Sequence, residues 1–345
     1  MKTATTATRV TRTFGFLSAM AGLSAAALAG CTTETSGAHA NAADSATAPA
    51  RTNGGSITMP ETWSPAAVDS TPDDPYAAAV YRGLALLTHT RDSLPQYVGG
   101  NLNCTSCHLD EGRRRNAAPL AGVFARYPRF IDRAAAVVPL EDRINYCFTR
   151  SLAGSRLPNG SREMQDIVAY LSYISRDVPV GAHVVGEGMP KMPALVGDSV
   201  AGHALFTANC ERCHGADGAG VGPVPALWGD KSFSIGASMA RQERAASFIR
   251  HNMPFDRPGT LSDQQAFDVA AYVVAMARPD LPGKERDWPG GGAPKDVPYA
   301  TKGHEATRPP TLIPRRGDPS SAIVDPPASV LKRDTRGQTA PGKDR

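Results

Sequence analysis

The sequence predicts a mainly α fold: two tandem helical units of similar design, held between two low-complexity tails. Three observations carry this expectation. Apolar residues recur at helical spacing in two separate stretches, no alternating strand pattern of useful length occurs, and one short cysteine motif appears twice, each time after a helix. A chain of 345 residues suits two domains. Its 41% hydrophobic content is enough for packed cores, while 6% aromatics beside 29 Pro and 33 Gly is looser than one large close-packed domain requires.

The N-terminus reads as an export signal. Lys2, Arg9 and Arg12 precede an apolar run from Phe14 to Gly30, whose 17 residues, mostly Ala and Gly, are short for a membrane span. The run closes on Leu28-Ala29-Gly30-Cys31, the pattern of a bacterial lipoprotein cleavage box, which makes residues 1–30 a lipoprotein signal peptide and Cys31 the acylated first residue. An ordinary secretory signal with a chance cysteine is the alternative; both readings export the chain, to a periplasmic location if the source is Gram-negative. Thr32, not Asp, follows Cys31, so no inner-membrane retention signal is present. Three of the four formal positive charges belong to this leader. Without its three basic residues, 34 basic side chains face 33 acidic ones, which excludes a nucleic-acid binder.

Residues 31–73 are rich in Ala, Thr, Ser, Gly and Pro without an apolar face, and read as a tether. The first unit, residues 74–180, opens with Asp74 as N-cap and Pro75 at the first helical position. Tyr76, Val80, Leu84 and Leu87 follow as a stripe, and the unit closes on a helix carrying Met164, Ile167, Val168, Leu171 and Ile174. The second unit, residues 181–299, begins with a Gly/Val/Pro-rich linker to Asp198 and a helix before Cys210. It closes with Ser262 and Gln265 as a capping box ahead of Val269, Tyr272, Val273 and Met276. Residues 300–345 hold no aromatic side chain and seven prolines from Pro309 to Pro341, and are expected to be disordered.

Four of the six cysteines sit in Cys104-x-x-Cys107-His108 and Cys210-x-x-Cys213-His214. This spacing is the signature of c-type haem attachment: two thiols add to the two vinyl groups of one haem, and the adjoining His is held beneath the iron. A redox Cys-x-x-Cys or half a zinc site needs no His in that position, and none twice. The units are therefore read as cytochrome c-type domains with two covalently bound haem c groups and His108 and His214 as proximal ligands.

Cys147 is left over. It is either a buried, inert thiol or a distal ligand, because it lies 39 residues beyond His108 just as Met253 lies 39 beyond His214. Met253, in Asn252-Met253-Pro254 before the last helix, has the place of a distal methionine, with core packing as its alternative. A thiolate lowers a haem's reduction potential and a thioether raises it, so a His/Cys first haem suits chemistry and a His/Met second haem suits electron transfer.

The stretch from Asn103 to Gly112, with Ala117–Leu120, Tyr127-Pro128, Glu141–Ser151 and Ser161–Met164, resembles the dihaem thiosulfate dehydrogenases, which form tetrathionate. In the second unit Asn252–Pro254, Gly259–Ala271 and Lys284–Pro289 agree, so the resemblance runs from Asp74 to Tyr299. It implies that the His108/Cys147 haem is the active site and that Arg133, Arg143 and Ser151 hold the substrate. Thiosulfate is a small dianion, and guanidinium forks neutralise and orient its sulfonate oxygens. On the residues alone, propionate pairing or a solvated face remains open for the two arginines, and a helix cap for Ser151. One departure is that Asn252 precedes Met253, with His251 before it, so the lysine that some family members exchange for this methionine is missing.

The expected activity is oxidation of two thiosulfates to tetrathionate, run in either direction, with electrons passed to an external redox partner such as a small cytochrome and the membrane reached through lipid on Cys31. Two other classes stay in view: a non-enzymatic dihaem electron carrier, and a sulfur-oxidation cytochrome subunit that conjugates thiosulfate to a carrier protein.

Overall fold

Asp74 starts the first helix by accepting a hydrogen bond from the Ala77 amide at 2.9 Å, with Pro75 at the first helical position, where no amide donor is missed. The computed structural model describes residues 57–70, 73–306 and 308–315, so Cys31, the leader and the end of the chain lie outside the described residues. Helix α1 (Pro75–Thr88) buries Ala77, Val80, Gly83 and Leu87. Tyr76 is 47% exposed at the edge of this stripe, with its hydroxyl donating to the Ala169 carbonyl. A short α2 (Thr90–Ser93) leads to the Cys104 turn. Then come strands β1 (Arg129–Ile131) and β2 (Ala136–Val138), an antiparallel hairpin, and α3 (Leu140–Tyr146), which runs into a π-helical turn over Cys147–Ser151. Helix α4 (Arg162–Tyr173), capped by Ser161, presents Met164, Ile167, Tyr170 and Leu171 to the core.

The second unit repeats the plan. Asp198 caps α5 (Ser199–Asn209), the single-turn α6 (Glu211–His214) carries the second motif, and α7 (Gln242–Asn252) precedes α8 (Asp263–Ala275). Ser262 and Gln265 form the predicted capping box at 3.2 and 2.8 Å. In each unit the opening and closing helices cross at a glycine. A Cβ on Gly83 would lie 2.0 Å from the Asp166 carbonyl oxygen, and one on Gly202 would lie 1.9 Å from that of Asp268. Backbones this close admit no side chain, which fixes both glycines independently of helix propensity.

The units are packed together. Phe233, Ala237 and Ala240 of the second join the core of the first, beside Leu102, Phe148 and Leu152. The folded body also begins earlier and ends later than the sequence predicts. Within the expected tether, Met59 and Val68 are buried, and the Met59 amide donates to the His183 carbonyl at 2.7 Å. Beyond Tyr299, the expected start of the tail, β4 (Leu312–Ile313) pairs in parallel with β3 (Arg278–Pro279). Isolated anchors such as Met59 and Arg315 carry no periodic pattern, which is why composition alone placed them in tails. Among the described residues no helix is long and apolar enough to cross a membrane.

Candidate active site

The first motif forms one tight turn in which the Cys107 and His108 amides both donate to the Cys104 carbonyl. This brings Cys104, Cys107 and His108 onto one cavity of about 980 Å³, counting its solvent-open mouth, walled by apolar side chains such as Leu87, Leu102, Ile144 and Phe148. Burial pushes the Cys104 and Cys107 thiols up to about 11 and about 12. His108 Nδ1 lies 2.6 Å from the Ala118 carbonyl oxygen, which can only accept, so Nδ1 carries the proton and Nε2 is left as a ligand.

Cys147 lines the same cavity. It begins the π-turn, where the Leu152 amide reaches back five residues to the Cys147 carbonyl at 2.8 Å. Arg143, one helical turn earlier, donates from Nη1 to Cys147 Sγ at 3.0 Å. Burial pushes this thiol up, but the Arg143 guanidinium and the His108 imidazole outweigh it and bring the thiol down to about 6. The direction favours the thiolate, beside His108 on the same cavity. Ser151, at the far end of the turn, is also on the cavity wall.

Arg133 lies farther out, in the β1–β2 turn. Its Nη1 donates to the Gly236 carbonyl at 3.0 Å and its guanidinium stacks on Trp288 at 4.5 Å. Burial and the neighbouring Arg150 charge lower it to about 10. The structure thus brings Cys147, Ser151 and His108 onto one cavity, with Arg143 held on the Cys147 sulfur and Arg133 within reach of the Arg143 charge.

Sequence reasoning missed the residues that hold this arrangement. Arg150, inside the π-turn, makes a buried bidentate pair with Asp287 at 2.7 and 2.6 Å, and the Tyr299 hydroxyl donates to the same carboxylate at 2.6 Å. Arg315 donates to the Thr149 carbonyl at 3.1 Å and also to that of Gly154. The signal available was an arginine in the middle of an otherwise buried block, which needs an acid somewhere in the chain.

At the second motif the Cys213 and His214 amides donate to the Cys210 carbonyl, and His214 Nδ1 lies 3.2 Å from the Pro225 carbonyl oxygen. Phe206, Trp228 and Tyr272 form an aromatic wall beside Cys210, with ring centroids 5.2–5.8 Å apart. Met253 follows directly on α7 and is half-buried against the cluster of Leu109, Ala117 and Phe248. Asn252 fixes that helix end by donating to the Asn116 carbonyl at 3.1 Å. Paired thiols, imidazoles with a pinned Nδ1, and apolar walls fit haem c at both sites.

Residues 98–180 match the family described as "SoxA/TsdA, cytochrome c domain", and residues 197–273 match "Cytochrome C oxidase, cbb3-type, subunit III". The chain is 45% identical over 233 residues to a thiosulfate dehydrogenase of Psychrobacter arcticus, covering 66% of this chain and 71% of that one. It is 42% identical to a thiosulfate dehydrogenase of Allochromatium vinosum over 219 residues, 60% of this chain and 81% of the other. Among solved structures, thiosulfate dehydrogenase (TsdBA) from Marichromatium purpuratum is similar with a TM-score of 0.60 at 32% identity, over 64% of this chain. This chain spans half the length of that solved chain.

Proposed function

The chain belongs to the thiosulfate dehydrogenase family, oxidoreductases with cytochrome c domains, and from that premise we propose that it joins two thiosulfates into tetrathionate and delivers two electrons to an external acceptor. Cys104, Cys107 and His108 would hold one haem c, with Cys147 as the opposing ligand. Cys210, Cys213 and His214 would hold a second, with Met253 opposite. When bound, each haem supplies a one-electron acceptor, so two match the stoichiometry.

The observation that carries this reading is the Arg143 guanidinium 3.0 Å from Cys147 Sγ. Two dianions 4 Å apart at an effective dielectric of ~20 repel by roughly 17 kcal/mol, so cations must precede chemistry. Arg143 serves both needs: it keeps Cys147 as the thiolate nucleophile and presents donors to a sulfonate. Arg133, held on Trp288, adds a second charge, and the Ser151 hydroxyl a further donor at the cavity wall. In the sequence proposed, Cys147 Sγ bonds to the sulfane sulfur of one thiosulfate with loss of two electrons. The sulfane sulfur of a second thiosulfate then attacks that sulfur, forming the central S–S bond of tetrathionate and releasing Cys147 as thiolate. The same steps reversed reduce tetrathionate.

The export pattern ending at Cys31 supports a periplasmic, lipid-anchored enzyme. The test of function is anaerobic addition of thiosulfate to the oxidised, haem-loaded protein, with Cys147→Ala alongside. Prompt reduction of the haem absorption, with tetrathionate as product and both lost in the variant, is expected. Near-wild-type turnover by a haem-loaded Cys147→Ala protein refutes the mechanism. No response to thiosulfate or tetrathionate refutes the enzyme and leaves an electron carrier.

A further inference from the structure

The cavity of the first motif is not walled by the first unit alone. Ser238, Met239 and Phe248 of the second unit line it together with Cys147, His108 and Ser151. Of the described residues on its wall, Ser238 alone is exposed, which sets it at the mouth, where a solute enters from water. Ser151 and Ser238 are also the only described lining residues that carry a hydroxyl. The Ser238 hydroxyl makes no hydrogen bond to a described residue, so it is free for a ligand.

The segment that presents Ser238 is bonded to the π-turn that carries Cys147. Ser238 opens a single 3-10 turn, Ser238–Ala240. Upstream of it the Ser234 amide donates to the Arg150 carbonyl at 3.0 Å, and Ala237 and Ala240 pack in the core that includes Phe148. Two residues before Ser238, the Gly236 carbonyl accepts from Arg133 Nη1 at 3.0 Å. One short segment of the second unit therefore fixes a guanidinium and offers a free hydroxyl at the cavity mouth. A thiosulfate dianion that leaves water for an apolar-walled cavity gives up hydration and needs donors where it enters. We propose that Ser238 is a substrate-binding residue, its hydroxyl donating to a sulfonate oxygen of thiosulfate at the mouth of the first cavity. This rests on the thiosulfate reading above and adds to it that the second unit helps to select the substrate.

The experiment uses the haem-loaded full chain and compares wild type with Ser238→Ala, Ser238→Thr and Ser238→Asp. Steady-state kinetics are measured with thiosulfate varied and a soluble one-electron acceptor in excess, and both haem midpoint potentials are titrated in each protein. Loss of a hydrogen bond to a charged group should raise KM about tenfold in Ser238→Ala, with kcat within about twofold of wild type. Thr keeps the hydroxyl, and its KM should stay within about threefold of wild type. Asp sets a carboxylate against the dianion and should raise KM by roughly a hundredfold or more. The haem potentials should not move. A wild-type KM in Ser238→Ala, a Thr variant as poor as Ala, or an Asp variant no worse than Ala overturns the proposal. So does a shifted potential of the first haem with KM unchanged, which would make the hydroxyl a partner of the haem instead. A wild type that does not oxidise thiosulfate refutes the proposed function itself, and this role with it.

Discussion

Replacing Asp287 with Asn tests whether the second unit holds the π-turn that carries Cys147. The Arg150–Asp287 side chains are only 6% and 3% exposed, and both guanidinium nitrogens meet carboxylate oxygens at 2.6–2.7 Å. Asn fits the same space but removes the charge and turns one acceptor into a donor facing Arg150. Its Nε already lacks a partner, so the cation has nothing to fall back on. Breaking a buried pair by one partner costs about 3–5 kcal/mol. For a folded body of this size, ~2–4 °C of Tm per kcal/mol gives a loss of roughly 6–20 °C. Thermal unfolding of the haem-loaded protein followed by near-UV circular dichroism measures it. Arg150→Met with Asp287→Leu together should recover part of the loss, since an apolar pair leaves no stranded charge. A drop below ~3 °C for Asp287→Asn, or a double variant worse than the single one, would refute the reasoning.

Two further outcomes follow from other contacts. Arg143→Met removes the main pull that offsets burial and brings Cys147 down to about 6. Because this pKa is depressed, the thiolate is lost as pH falls through it; in the haem-loaded wild type iron bonding lowers it further, so the His/thiolate electron paramagnetic resonance signature should persist to below pH 6. In Arg143→Met that loss should move up by ~1–3 pH units, and an unchanged midpoint would count against the contact. Gly202→Ala should destabilise by ~1–3 kcal/mol in denaturant titrations, because its Cβ would lie 1.9 Å from the Asp268 carbonyl oxygen. A gain of about 1 kcal/mol, as helix propensity alone gives, would sink the close-crossing argument.

What was legible in the sequence was local. The Asp74-Pro75 start and the Ser262–Gln265 box are written in neighbouring residues and form as read. Helix α4 buries Met164, Ile167 and Leu171 of its stripe and α8 buries Val269 and Val273, while Val168 and Tyr272 stay part-exposed and Met276 falls just past the end of α8. The cysteine motifs were legible because chemistry fixes their spacing. Cys147 was read as special only through an equal offset and a family block; the structure places it on the cavity wall with Cys104, Cys107 and His108. Invisible were features that depend on residues far apart in the chain. Asp287 lies 137 residues from Arg150, and Arg315 lies 166 from Thr149. The Gly83 and Gly202 crossings were missed for the same reason, since a glycine inside a helical pattern reads as a weakness until the facing backbone is known.

The π-turn explains why two units of like plan are joined so closely. Met253 follows the last residue of α7 with an extended backbone, so the second unit needs no special turn there. Cys147 instead sits in a helix continued by one wide turn, a form that leaves carbonyls without their usual intrahelical donors. Those carbonyls are supplied from elsewhere. Phe148 accepts from the Gly154 amide at 2.8 Å, Arg150 from the Ser234 amide at 3.0 Å, and Thr149 from Arg315 at 3.1 Å. Two of the three donors belong to the second unit and to the segment beyond it. Arg133 likewise depends on Gly236 and Trp288. The first unit alone therefore carries the nucleophile and the Arg143, Leu152 and Gly154 bonds around it, but not the Ser234 and Arg315 bonds that hold the rest of its turn. An electron-transfer partner at a distance could not supply them, whereas a tandem partner packed on the turn does.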